Sequence, residues 1–188
     1  MNNNMPPIPP QAKKVFSGVI FDVYQWEQEL YDDSMATFER LRRPATLNVI
    51  AEIDGKIAIA DQEQPHKGHF LSLLGGRQDD NENPLEGAKR ELEEEAGLVS
   101  NEWELWNTVE PYNKVDWTIY TYIARNCKKN KTQNVDAGEK ITVLEMTFDE
   151  FVDAVLSEQF CGQELVEQVL RMKLEPKKLE SFKKKILG

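Results

Sequence analysis

Residues 14–30, "KVFSGVIFDVYQWEQEL", set apolar and aromatic side chains among polar ones in the manner of one or two strands. "YDDS" at 31–34 supplies a turn. Residues 37–65, "TFERLRRPATLNVIAEIDGKIAIADQEQP", hold two β-branched runs joined by Asp54-Gly55, the dipeptide that suits a tight hairpin. "HFLSLL" (69–74) reads as a short buried strand running into Gly75-Gly76. A helix is predicted from about Pro84 to Ala96: Asn83 can cap it, Pro84 suits its first position and Gly97 its stop. "EWELWNTVEPYN", "VDWTIYTYIARNC" and "ITVLEM" are strand-like, while "KKNKTQNVDAGEK" (128–140) is a polar loop. Thr147-x-x-Glu150 forms a capping-box pattern before "FVDAVL", and "QELVEQVLRMKL" is a further helix. No repeat is visible. Strands, one helix, more strands, then helices predict a mixed α/β fold with helices packed against sheet.

At 100° per residue, Leu85, Ala88, Leu92 and Ala96 form the apolar stripe of the predicted 84–96 helix. Glu86, Lys89, Arg90 and Glu93 fall toward water. Glu91 and Glu95 share the border of the stripe with Glu94 and Gly87. Like charges at this spacing oppose helix formation by about 0.2–0.5 kcal/mol per pair. A bound hard cation with oxygen ligands would offset that repulsion; a solvated acidic face is the alternative reading.

Bulk properties change the picture modestly. The 188 residues are 40% apolar, enough for one full core. A net charge of −10 argues against a general binder of nucleic-acid backbone, so no DNA partner is expected. Cys127 and Cys161 have no metal-ligand spacing and are expected as free thiols. No apolar run approaches membrane-spanning length and "MNNNMPPIPPQAKK" has no signal-peptide character, so a cytoplasmic location without membrane attachment is expected.

From Gly76 the order is five residues, Glu82, seven residues, then Arg90-Glu91-Leu92-x-Glu94-Glu95-x-Gly97-Leu98. On these residues the chain resembles a Nudix hydrolase, with the Nudix box matched at every specified position. The resemblance implies an α/β/α sandwich, a mixed sheet packed between helices. It also implies hydrolysis of a diphosphate joined to another moiety, using Mg²⁺ or, as a second choice, Mn²⁺. Glu91, Glu94 and Glu95 would hold metal together with the Gly75 carbonyl, with Glu82 and Arg90 bracing the loop and helix. Outside the box, residues 14–172 resemble the ADP-ribose and nucleoside diphosphate sugar pyrophosphatases. In that branch the general base lies on a loop after the box, which points to Glu139, also placed near the metals; Asp136 and Glu91 are the alternatives.

The resemblance further implies an N-terminal β extension that dimerises and contacts substrate. The expected organisation is a flexible lead-in at 1–13, the extension at 14–43, the Nudix domain at 44–174 and a basic tail at 175–188. Trp26 is a candidate for stacking on a nucleobase, packing in a sheet or dimer core being the other reading. Arg40, Arg42, Arg43 and Arg77 are candidates for phosphate contacts, Arg43 foremost among the first three. The chain departs from the branch at Ser72 and Gly75 in "SLLGG", and at His66 after Gln64-Pro65, so the base and sugar stay open. The expected partner is therefore a small nucleotide-sugar, acted on by a homodimer. Nucleoside triphosphates or 5′-triphosphate RNA are the alternative substrates, and a non-catalytic nucleotide sensor ranks last.

Overall fold

The computed structural model describes residues 8–65, 67–135 and 137–188. Strands β1 (Lys13–Ser17), β2 (Asp22–Glu29), β3 (Met35–Arg42), β4 (Thr46–Ile53), β5 (Lys56–Gln64), β6 (Gly68–Ser72) and β7 (Leu74–Arg77) lead to helix α1 (Pro84–Ala96). Then come β8 (Leu98–Val99), β9 (Glu102–Val109), β10 (Val115–Asp116), β11 (Ile119–Arg125), β12 (Lys128–Lys129) and β13 (Lys140–Met146). Helices α2 (Phe148–Val155), α3 (Gln163–Lys173) and α4 (Pro176–Leu187) end the chain.

The main sheet runs β13-β5-β4-β11-β9, with β6 added to β5 and β7 to β4; β4 and β11 are parallel and the other pairs antiparallel. Alternation along the central strands sorts their side chains into two cores. Leu47, Val49, Ala51, Ala58 and Ala60 meet Ala88 and Leu92 of α1. Ile50, Ile57, Ile59 and Ile123 meet Phe151, Val155, Leu165, Val169, Phe182 and Ile186 of the C-terminal helices. The sheet therefore lies between helices, as the resemblance implies. The β4–β5 turn has positive φ at both Asp54 (50°) and Gly55 (78°), the geometry an Asp-Gly hairpin requires.

Three findings differ from the sequence reading. The run expected as one strand at 69–74 divides. β5 pairs with β4 only across Lys56–Ala58, then with β6, while the start of β4 pairs with β7. This parting of β4 and β5 brings Gly75-Gly76 beneath α1. Second, the Lys-rich end is a helix and not a tail, because Phe182 and Ile186 are 3% and 0% exposed in the second core. Third, the loop after Cys127 opens with a short strand, β12 paired to β8.

The N-terminal strands form a second sheet, β1-β2-β3-β10, and its last member comes from the middle of the chain. β10 runs parallel to β3, just as β11 runs parallel to β4. Two stretches of chain therefore cross side by side from one sheet into the other, at residues 43–45 and 117–118. Arg42 fastens the crossing, its Nε donating to Asp116 Oδ2 at 2.7 Å. On the extension, Val15, Phe16, Val19, Ile20 and Met35 are exposed.

Candidate active site

Helix α1 begins at the expected cap: Leu85 N–H donates to Asn83 Oδ1 at 2.9 Å. It ends at Gly97 with φ 64°, where a Cβ would come within 2.1 Å of the Lys131 carbonyl oxygen, so only glycine fits. Its buried positions are Gly87, Ala88, Leu92 and Glu95, so the inward face is turned further toward the carboxylates than the apolar stripe alone predicts. Gly87 makes that rotation possible, since a Cβ there would meet Glu82 Oε2 and Leu47 Cδ1 at 2.5 Å each.

Glu95 is 5% exposed and accepts the Gly75 N–H at 2.6 Å. Burial pushes its carboxyl up to about 8, and the charges of Glu91, Glu139 and Glu94 add to the rise. Glu91 is also raised, first by burial and against the pull of Arg90. The Glu91 carboxylate lies over Gly76, where a Cβ would stand 2.6 Å from Oε2. That close approach explains the glycine opening the motif.

Arg90 is half-buried rather than facing water, and it braces the loop. Its Nε and Nη2 donate to the two Glu82 oxygens at 3.0 and 3.1 Å. Its Nη1 reaches Glu91 and Glu94, at 2.9 Å each, and Nη2 also donates to the Arg77 carbonyl. The Glu82 bond holds the guanidinium well above its ordinary range and the Glu82 carboxyl below its own.

Glu139 is half-buried at the end of the loop before β13. Its Oε1 accepts from Gln64 Nε2 at 3.0 Å, and its charge raises both Glu91 and Glu95. The loop is tied to the back of α1: Asn134 N–H donates to the Glu94 carbonyl at 2.8 Å, and the Gln133 amide bonds the Glu95 and Ile141 carbonyls. Asp136 and His66 lie outside the described residues.

Glu91, Glu94, Glu95 and Glu139 thus share one electrostatic neighbourhood. Among the described residues no three acidic, histidine or cysteine side chains close into a metal cage, because Glu91 and Glu94 turn to Arg90 and Glu95 to Gly75. The donor chemistry still fits a hard cation: all are carboxylates, one is buried against its preference, and Arg90 is already shared with Glu82.

The arginines divide. Arg42 is committed to Asp116 and to the Tyr24 ring. Arg40 is half-buried on β3. Arg43 and Arg77 come together, near enough for Arg77 to lower Arg43 beyond the effect of burial, and neither has an acidic partner among the described residues. Arg77 follows Gly76 in β7 and pairs with Thr46, so its side chain leaves the strand on the face opposite the Gly76 position that meets Glu91. Sequence reading missed what surrounds Arg43: the Trp117 ring centroid lies 4.4 Å from its guanidinium and that of Phe21 5.7 Å. Trp26 packs at 6.0 Å against Phe38 within the extension, away from the carboxylates of its own chain.

The thiols are free, as expected. Cys127 is buried, which pushes it up to about 12, and Cys161 is exposed with Lys67 Nζ at 2.7 Å. No described helix is long and apolar enough to cross a membrane.

The family model for the NUDIX domain matches residues 41–166, and the chain belongs to the Nudix family. It is a hydrolase acting on pyrophosphate bonds. Among similar proteins is a methanol dehydrogenase activator of Bacillus methanolicus, 26% identical over 170 residues, spanning 88% of this chain and 91% of that protein. An ADP-ribose pyrophosphatase of Bacillus subtilis (strain 168) is 26% identical over 153 residues, covering 78% and 82%. A crystal structure of an ADP compounds hydrolase superposes with a TM-score of 0.71 at 16% identity, over 89% of this chain and 94% of that one, which supports the fold.

Proposed function

We propose that the chain cleaves the diphosphate of a nucleoside diphosphate sugar of ADP-ribose type, giving a nucleoside monophosphate and a sugar phosphate. The observation that carries this reading is the presence of two opposite charge groups, a cationic pair and a carboxylate cluster. Among the described residues Arg43 and Arg77 have no acidic partner although the chain carries a net charge of −10, and α1 gathers a separate cluster of partly buried carboxylates. A diphosphate answers the first group and a hard cation the second. Of the two curated relatives described, one has ADP-ribose pyrophosphatase activity in its name, which supports the substrate class.

Glu91, Glu94 and Glu95, with the Gly75 carbonyl and Glu139, would hold Mg²⁺, with Mn²⁺ as an alternative. Such an ion, when bound, neutralises diphosphate oxygens and acidifies a coordinated water. The chain's own residues do the rest. Arg43 and Arg77 bind phosphate oxygens through planar forks of N–H donors. Glu139, oriented by Gln64, takes the proton of the attacking water, with Glu91 as the alternative base. Arg90 keeps Glu82, Glu91 and Glu94 in register. The exposed apolar side chains of the extension support a homodimer, in which a second copy could bring Trp26 to a site.

Purified protein with Mg²⁺ is to be incubated with ADP-ribose, ADP-glucose, GDP-mannose, a nucleoside triphosphate and 5′-triphosphate RNA, with Glu95→Gln alongside. Nucleoside monophosphate plus sugar phosphate, lost in the variant, is the expected result. Pyrophosphate released from the triphosphate or RNA, with the sugars untouched, would overturn the substrate assignment.

A further inference from the structure

Arg43 is an exception to how this chain treats its arginines. Arg42, Arg90, Arg125 and Arg171 each hold a carboxylate. Arg43 has aromatic neighbours instead, and the bond from its own side chain that fixes it is Nε to the Pro44 carbonyl at 3.4 Å. A guanidinium over a ring keeps its in-plane N–H donors free for a second partner, which a carboxylate pair does not.

Trp117 is itself fixed. Its indole Nε1 donates to Thr46 Oγ1 at 3.1 Å, and the Tyr112 ring stacks on it at 5.9 Å with 21° between planes. Thr46 is the register partner of Arg77 across β4 and β7. One hydroxyl thus ties the ring that seats Arg43 to the strand residue opposite Arg77. Trp117 also occupies the crossing between β10 and β11, beside the β3–β4 crossing that carries Arg43, so the contact is built by the parallel run of the two stretches.

We propose that Trp117 is a positioning residue for substrate, holding the Arg43 guanidinium so that its N–H donors meet phosphate oxygens beside Arg77. The proposal rests on the reading of Arg43 as a phosphate contact. It makes Trp117 part of substrate recognition without direct contact to substrate, and it separates this ring from Trp26, which has no arginine or lysine over its ring among the described residues.

The test is a double-mutant cycle of Trp117→Leu and Arg43→Ala, read by KM and kcat on the best nucleotide-sugar and by calorimetric binding of ADP in EDTA. Trp117→Leu is expected to raise KM and weaken ADP binding about tenfold, with kcat within about twofold, as loss of a cation–ring contact implies. In the Arg43→Ala background the same change should have no further effect. Trp117→Phe should restore most of the affinity, since a ring remains. Thr46→Val, which keeps the ring and removes its hydrogen bond, should give a smaller loss and serves if Trp117→Leu does not fold. Additive effects of the two substitutions, or equal falls in kcat and stability with ADP affinity unchanged, would overturn the inference. Coupling seen in ADP binding while no nucleotide-sugar is cleaved would uphold it and count against the substrate assignment alone.

Discussion

Replacing Glu95 with glutamine should make the metal-free protein more stable while removing its activity. Glu95 is 5% exposed, and its carboxyl is pushed from an ordinary 4.5 up to about 8 by burial and by the charges of Glu91, Glu139 and Glu94. Between those two values the unfolded chain has released its proton and the folded one has kept it. Wild-type stability therefore falls as pH rises from 4.5 toward 8, and is depleted by a constant amount above that. Full ionisation of a carboxyl so displaced opposes folding by ~5 kcal/mol as an upper bound. Water entering the cleft will relieve part of it, leaving ~1–3 kcal/mol for the variant to recover. Glutamine has nearly the same shape, its oxygen can still accept the Gly75 N–H, and its amide can donate to a neighbouring carboxylate. For a chain of 188 residues this gain corresponds to a rise in Tm of about 3–9 °C. The assay is thermal unfolding in EDTA at pH 5, 6, 7 and 8 for both proteins, repeated with Mg²⁺. The gap should be small at pH 5, widen to pH 8, and shrink or reverse when Mg²⁺ stabilises the wild type alone. A variant no more stable than wild type at pH 8, or a gap that widens toward acid, would refute the argument.

Gly76→Ala should keep the fold and lower activity at least tenfold, because the new methyl group would stand 2.6 Å from Glu91 Oε2 and displace that carboxylate; kcat with unchanged circular dichroism checks this. Phe182→Ala should destabilise the protein by about 3–5 kcal/mol, measured by urea unfolding, since the ring is buried against Trp106 and Phe148. A solvated tail would lose almost nothing. Thr147→Ala should lower stability by about 1 kcal/mol without affecting KM, because its hydroxyl caps α2 through Glu150 and lies away from the carboxylates.

Local chemistry was legible in the sequence. Asn83, Pro84 and Gly97 mark the ends of α1, Asp54-Gly55 the β4–β5 hairpin, and Thr147 with Glu150 a capping box, because each acts over a few residues. The carboxylate face was legible for the same reason, since helical spacing fixes which side chains are neighbours. The α4 packing is partly legible: Leu179, Phe182 and Ile186 recur at helical spacing, but the lysines between them give the segment the composition of a solvated tail. The partition of "HFLSLL" was not legible, because it depends on where β4 and β5 part and not on the segment's own residues. Nor was the Arg43–Trp117 contact, which joins positions far apart through the parallel pairing of β3 with β10.

That pairing also makes the crossing a mechanical joint. The extension connects to the main sheet through residues 43–45 and 117–118 lying side by side, so any twist of one sheet on the other is concentrated there. Arg43 and Trp117 stack on each other at the joint. On the proposed role of Arg43, a partner that grips the extension and biases the twist would change the affinity for a phosphate there. By thermodynamic linkage the phosphate would change the grip by the same factor. Assembly and substrate binding would then be two readings of one angle.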